Sequence, residues 1–232
     1  MYVAGVDGCK GGWLLVRADA TGQLRIEDVS VISTFRELIA ATAACAAVAV
    51  DIPIGLGDDK PRAADGEARQ VLREPRRRSV FPTPVRPTLK AETHDEAKKL
   101  SLLASGKSMN VQTFNILKKI READKVMTPL LQEWIVEVHP EVSFWALNDK
   151  QSMRHKKKSK AGKQERLQSL SRVFVDDLAC VALPLRKDAG LDDFYDACVA
   201  AWTAGRIAYG TALRLPAEPL LDSHGLRMEI VY

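Results

Sequence analysis

Two short apolar runs, each ending in an aspartate, constrain this chain more than any other feature: VAGVD closes at Asp7 and AVAVD at Asp51. Valine- and alanine-rich runs of that length, bounded by turn residues, form strands buried in a sheet. A charge is tolerated there only where the strand leaves the core, so each aspartate marks a strand end. Side chains alternate along a strand, which puts Gly5 on the face of Asp7 and Ala47 and Ala49 on the face of Asp51. Small neighbours leave space above both acids for a metal ion or a substrate.

The other elements assemble around these strands. A glycine-rich turn (Gly8, Gly11 and Gly12) leads into a second strand at residues 13–16, and a third follows at 24–32, which makes a three-stranded antiparallel meander. Ser33 or Thr34 caps a helix with Glu37 in its first turn, running to about residue 44. After the buried strand at 46–50, helices are predicted over 63–72, 93–105, 112–125 and 164–170. A strand is predicted over 134–138 with a short apolar continuation at 144–147, then a long helix over 191–213 and a closing strand or hairpin over 226–232. The prolines between 75 and 87 mark a stiffened loop. With 232 residues, no repeat and no long linker, the expectation is one domain, 1–232, with a helical and loop insertion at about 57–130. The element order implies a mixed α/β sheet with helices on its faces.

Composition narrows the class. At 46% hydrophobic and 28% charged the chain is neither disordered nor collagen-like. No apolar run reaches the roughly 18–20 residues of a membrane span, and the N-terminus lacks a signal-peptide pattern, so no membrane partner is expected. Cys9, Cys45, Cys180 and Cys198 are widely spaced, which suggests neither a zinc knuckle nor a disulfide framework and points to a reduced, cytoplasmic setting. A homodimer is left open.

The chemistry lies in the acids. Glu137 sits inside WIVEVHP, and on the last helix Asp193 and Asp196 stand three apart, so they can share a face. Asp196 precedes the buried stripe ACVAAW. Clustered buried carboxylates raise one another's pKa unless cations hold them ionised. Hard oxygen donors in that number suit Mg²⁺ or Mn²⁺, and two such ions about 4 Å apart can activate a water and stabilise a leaving oxygen in phosphodiester hydrolysis. The plainer reading is that each acid ends a strand or caps a helix.

The segments VAGVDGCKGGW, AVAVDIPIGL, GEAR, SVFPTPVR, QTFNILKKIREAD, VEVHPEVSFWAL and DDFYDACVAAWTAGR, in that order, resemble the family catalogued as domain of unknown function 429. The resemblance implies an RNase H-like fold, with a central five-stranded mixed sheet and helices on both faces, and a nuclease activity. By matching positions it implies that Asp7 is the acid of the first strand and Asp51 that of the fourth. Glu137 and Glu141 fall in an E-x-H-P-E pattern, and Asp193 and Asp196 in a last-helix acidic motif. Asp7, Asp51, Glu137 and Asp196 are the expected metal ligands, with Asp193 as the reserve candidate. The chain departs from the family's pattern at Ala63-Ala64 before Asp65 and at SMNV before QTF, and neither change touches the carboxylates.

Other features carry two readings each. The glycine turn around Lys10 could cradle a phosphate or be a plain hairpin; as a phosphate loop it would fit an ATP-binding phosphotransferase of the sugar kinase, Hsp70 and actin type. Arg77, Arg78 and Arg86 flank Phe81 on the proline-rich loop and could grip a nucleic acid or nucleotide, or form salt bridges. The run RHKKKSKAGK is either a flexible solvated segment or a phosphate contact. His139 is a candidate for proton transfer or a structural strand-end histidine. A binding module without metal chemistry completes the alternatives.

Overall fold

The computed structural model describes residues 1–182 and 189–232, which divide into two compact units. The first comprises Met1–Asp51, Trp134–Leu213 and Val231–Tyr232, and the second Ile52–Glu133 and Arg214–Ile230. In chain order the helices are α1 (Phe35–Ala41), α2 (Ala63–Leu72), α3 (His94–Ser105), α4 (Val111–Asp124), α5 (Pro140–Leu147), α6 (Lys160–Leu170), α7 (Leu178–Val181) and α8 (Leu191–Ala208). Helices α2–α4 belong to the second unit, where Ala91, Ala97, Met109 and Leu117 form a small core. Among the described residues no helix is long and apolar enough to cross a membrane.

The first unit is built on a five-stranded mixed sheet of β1 (Tyr2–Cys9), β2 (Gly12–Asp19), β3 (Arg25–Ile32), β4 (Ala47–Asp51) and β5 (Ile135–Glu137), ordered β3-β2-β1-β4-β5. β1, β2 and β3 are the expected antiparallel meander, and β4 and β5 extend it in parallel. Helices cover both faces. On one, Val3, Leu14, Val16, Ala47, Ala49 and Val136 pack with the buried residues of α8. On the other, Phe35 of α1 meets Trp13 edge to face at 5.0 Å between ring centroids. Thr34 and Glu37 form a reciprocal capping box that starts α1.

The α8 contact explains Gly5. A Cβ built there would lie 2.0 Å from the carbonyl oxygen of Ala197 and 2.1 Å from the amide nitrogen of Ala201, so the helix backbone rests directly on the strand. The run of Ala197, Cys198, Val199, Ala200 and Ala201 keeps that approach close.

Several elements differ from the sequence reading: α6 begins at Lys160 rather than at 164, and the closing strand covers only Ile230–Val231 of the expected 226–232. Residues 144–147 belong to helix α5, not to an apolar extension of the strand. Pro140 occupies the first turn, where its fixed φ favours a helix, and the helix is buried nearly all round, which hides its period. Helix α8 ends at Ala208, short of residue 213: Gly210, at φ +67°, turns the chain out of the helix, and Leu213 already exchanges backbone hydrogen bonds with Tyr232 at 2.7 and 2.8 Å.

Gly5→Ala is expected to lower the unfolding free energy by about 3 kcal/mol, the upper range for overpacking, in urea denaturation. Gly22→Ala, where an added Cβ meets nothing within 4 Å, should leave it nearly unchanged.

Candidate metal centre

The parallel register of β1 and β4 pairs Asp7 directly with Asp51. β1 runs two residues past Asp7, to Cys9, as it pairs with β2, so Asp7 does not end its strand as expected, whereas Asp51 is the last residue of β4 and lies at the carboxyl edge of the parallel pair. That edge, where chain direction around the sheet reverses, is where open α/β sheets bind ligands. The close packing at Gly5 brings Ala197 onto β1, and the preceding residue, Asp196, thereby reaches the same edge. One ligand oxygen from each of Asp7, Asp51 and Asp196 lies within 4.8 Å of the other two. Asp7 and Asp196 are 7% and 3% exposed, and Asp51 is half-buried.

This crowding shifts their ionisation. Burial raises Asp7 well above its ordinary value, and the charges of Asp51 and Asp196 add to it, against the lowering effect of Lys157. Burial likewise lifts Asp51 to about 8; Asp196 and Glu137 raise it, while Lys157 and a hydrogen bond with Asp7 oppose them. Asp196 rises through burial although Lys157 donates a 2.8 Å hydrogen bond to its Oδ2. Burial works to lower the Lys157 ammonium's pKa, but Asp196, Asp7 and Asp51 outweigh it and the net shift is upward.

Behind Asp196, Arg166 of α6 donates to Glu141 of α5 and lies over the Phe144 ring, 5.4 Å from its centroid. Glu141 raises Asp196 and Arg166 lowers it. Glu141 is therefore engaged in a buried ion pair.

The three acids fit a divalent cation. Their donors are all hard oxygens. One oxygen from each lies within 4.8 Å of the others, so small side-chain adjustments bring all three to the ligand distances of Mg²⁺ or Ca²⁺, about 2.0–2.6 Å. Among the described residues, the three carboxyls, with the charges of Glu137 and Asp193 added, outnumber the one ammonium of Lys157 that reaches them, so the centre is short of positive charge that a divalent ion would supply.

Fold and site together define a mixed α/β protein with a carboxylate centre at the edge of a parallel strand pair. The chain belongs to the DUF429 family, described as proteins of unknown function, whose family model matches residues 5–220. Neither a curated protein nor a solved structure matches it.

The other expected site residues are placed differently. Glu137 is buried in β5, but its register partner is Val50, whereas Val136 and Val138 pack with α8. Glu137 is thus one residue out of phase with the face of Asp51 and lies outside the group of three. Its charge still acts on Asp51. His139 is half-buried and caps α5, in phase with Glu137. Asp193 accepts a hydrogen bond from the Gly190 backbone at 2.9 Å, which starts α8, and burial raises its pKa. Lys10 is exposed on the β1–β2 turn. Gly12 in that turn has φ +137°, and a Cβ there would lie 2.2 Å from the Ile32 carbonyl oxygen, so packing against β3 accounts for this glycine.

In the second unit, Arg77 and Arg78 are largely exposed, with nitrogens 3.8 and 3.3 Å from Glu74. Arg86 is not a surface grip. It donates to Asp124 and Asp222 and its side chain is 13% exposed, which makes it the centre of an internal ion cluster. Asp65 is likewise held internally, by Arg62 at 2.8 Å and by the Thr83 backbone at 2.8 Å. Sequence reasoning missed Lys157. It stands in RHKKKSKAGK, where nothing distinguishes it from Lys156 or Lys158. The run is not a flexible tail either, because its second half is the first turn of α6, capped by Ser159.

A carboxyl whose pKa is higher folded than unfolded binds its proton more tightly in the folded state. Its stabilisation is complete below the unfolded value near 4 and declines as the pH climbs toward the folded value of about 8. In chelator, thermal unfolding temperature should therefore fall between pH 5 and 8, and Mg²⁺ should raise it more at pH 8 than at pH 5. Asp51→Asn should remove much of the fall and stabilise the metal-free protein at pH 8 by about 1–2 kcal/mol. Arg86→Ala should cost about 3 kcal/mol in urea denaturation, as loss of one partner in a buried ion pair does.

Proposed function

We propose that this chain is a divalent-metal-dependent nuclease that hydrolyses phosphodiester bonds. The observation that carries the reading is the convergence of Asp7, Asp51 and Asp196 at one buried strand edge, short of positive charge. Functional centres are where such perturbed acids collect. The RNase H-like architecture implied by the family resemblance, with an acid on its first strand, agrees with the sheet order β3-β2-β1-β4-β5.

Asp7, Asp51 and Asp196 would hold the ion, Mg²⁺ or Mn²⁺ by donor chemistry. The bound ion supplies Lewis-acid stabilisation of the phosphoryl oxygens and lowers the pKa of a coordinated water. The chain's own contribution is to hold the three carboxylates on a strand pair and a helix whose positions are set by packing, so little reorganisation is needed. Glu137 adds negative potential that favours cation uptake. His139 is the reserve group for proton transfer. A nucleic acid is the substrate that suits the exposed Lys10 of the unit that carries the centre. Taken by itself, the second unit offers the exposed Arg77 and Arg78 for phosphate and Phe81, 44% exposed beside them in sequence, as a ring for a base to stack on.

The test is incubation of the purified chain with labelled single- and double-stranded DNA and RNA, with Mg²⁺, with Mn²⁺ and with chelator. Cleavage should require the metal and fall at least ~100-fold in Asp7→Asn. Metal-dependent ATP turnover without cleavage would favour a phosphotransferase. Salt-sensitive binding that neither chelator nor Asp7→Asn alters would make the chain a binding module.

A further inference from the structure

The feature the proposed chemistry leaves unexplained is the lysine at its centre. Lys157 is not there by the chance of a flexible side chain, because its backbone is built in. Ser159 donates to the Lys156 carbonyl from its amide at 2.9 Å and from its hydroxyl at 2.8 Å. The Gly162 amide returns a 3.0 Å bond to the Ser159 hydroxyl. A Cβ at Gly162 would lie 2.0 Å from the Lys156 carbonyl oxygen, so the turn sits flush against the start of α6. The amides of Arg154 and His155 donate to Glu165 at 2.8 and 3.0 Å, which ties the other side of the segment to the same helix. Helix α6 in turn packs on α8, which carries Asp196. The ammonium and the carboxylate it meets are therefore positioned by one packed pair of helices.

We propose that Lys157 is the second cation of the centre, a covalently attached positive charge where a two-ion site would take another divalent ion, so that the chain binds a single metal ion. This rests on the nuclease reading and deepens it. The ammonium already occupies Oδ2 of Asp196, 2.8 Å away, the oxygen a second ion would share, and its fixed positive charge repels another cation there. The ammonium, 2.8 Å from Asp196 with its side chain 41% exposed, keeps a side open toward an arriving phosphodiester. In the hydrolysis a water oxygen bonds to phosphorus as the ester P–O bond breaks, and the proton lost by the water balances the one taken up by the departing alkoxide. Charge builds on that departing oxygen and on the non-bridging oxygens, and a fixed ammonium offsets it without having to be recruited. Lysine suits this role as a compact point charge with three donors.

The test is titration of the full-length metal-free chain with MnCl₂ at pH 8, followed by calorimetry and by the electron paramagnetic resonance of free Mn²⁺. The expected result is one ion per wild-type chain, two per Lys157→Met chain, and one in Lys157→Arg and in the control Lys158→Met. Lys157→Gln serves in the same way if the methionine variant does not fold. Two ions in the wild type, or one in both neutral variants, overturns the assignment while leaving a metal-dependent nuclease intact. No Mn²⁺ uptake by the wild type overturns the metal reading itself, and the role of Lys157 with it.

Discussion

In-register parallel pairing of β1 with β4 sets two carboxyls side by side at a sheet edge, and the rest of the centre answers to that placement. Desolvation and mutual repulsion both work against ionising them, which is why Asp7 and Asp51 hold their protons far above the ordinary carboxylate range. Helix α8 makes the crowding worse by adding Asp196, and it does so because a glycine on β1 lets its backbone settle onto the strand. An arrangement that disfavours its own charge is costly to keep for stability alone, and it makes sense as a receptor for cations.

The second unit shows what buried acids look like when they serve structure. Asp65 has Arg62, Asp222 has Arg86, and Glu229 has both Arg214 and Arg227. Each is a buried carboxylate matched to a guanidinium, the usual condition for burying charge. Within the first unit Glu141 follows the same rule with Arg166. At the edge of β1 and β4, by contrast, three carboxyls share one lysine among the described residues, while Glu137 and Asp193 add further negative charge. The difference lies in counter-charge rather than in burial, and it separates a candidate site from ion pairs that hold the chain together.

Much of the centre was legible because strand ends advertise themselves. Asp7 and Asp51 follow uninterrupted apolar runs, and Asp196 precedes a stripe of small buried residues, so each could be picked without knowing its neighbours. Glu137 looked equivalent, yet a strand has two faces, and only the pairing of Val136 with Ala49 reveals that Glu137 faces the other way. For Arg86 the sequence left a phosphate grip and structural salt bridges both open, and only the structure brings it to Asp124 and Asp222, far along the chain. Lys157 was hidden for the opposite reason, as one of several alike cations in a run. Helix α5 was hidden by its own burial, since a segment apolar on every side has no period to read.

By itself, the sequence determined the local grammar: which segments are strands, where they surface, which helix starts with the Thr34 cap, and which acids sit at exits from the core. Those properties depend on neighbours a few residues away, through alternation, propensity and capping. Only the tertiary structure decided which acids meet, which are neutralised by arginine, and which single lysine of a basic run joins them. Meeting depends on strand order, register and the depth of helix packing, and electrostatic coupling falls off with distance in space rather than along the chain.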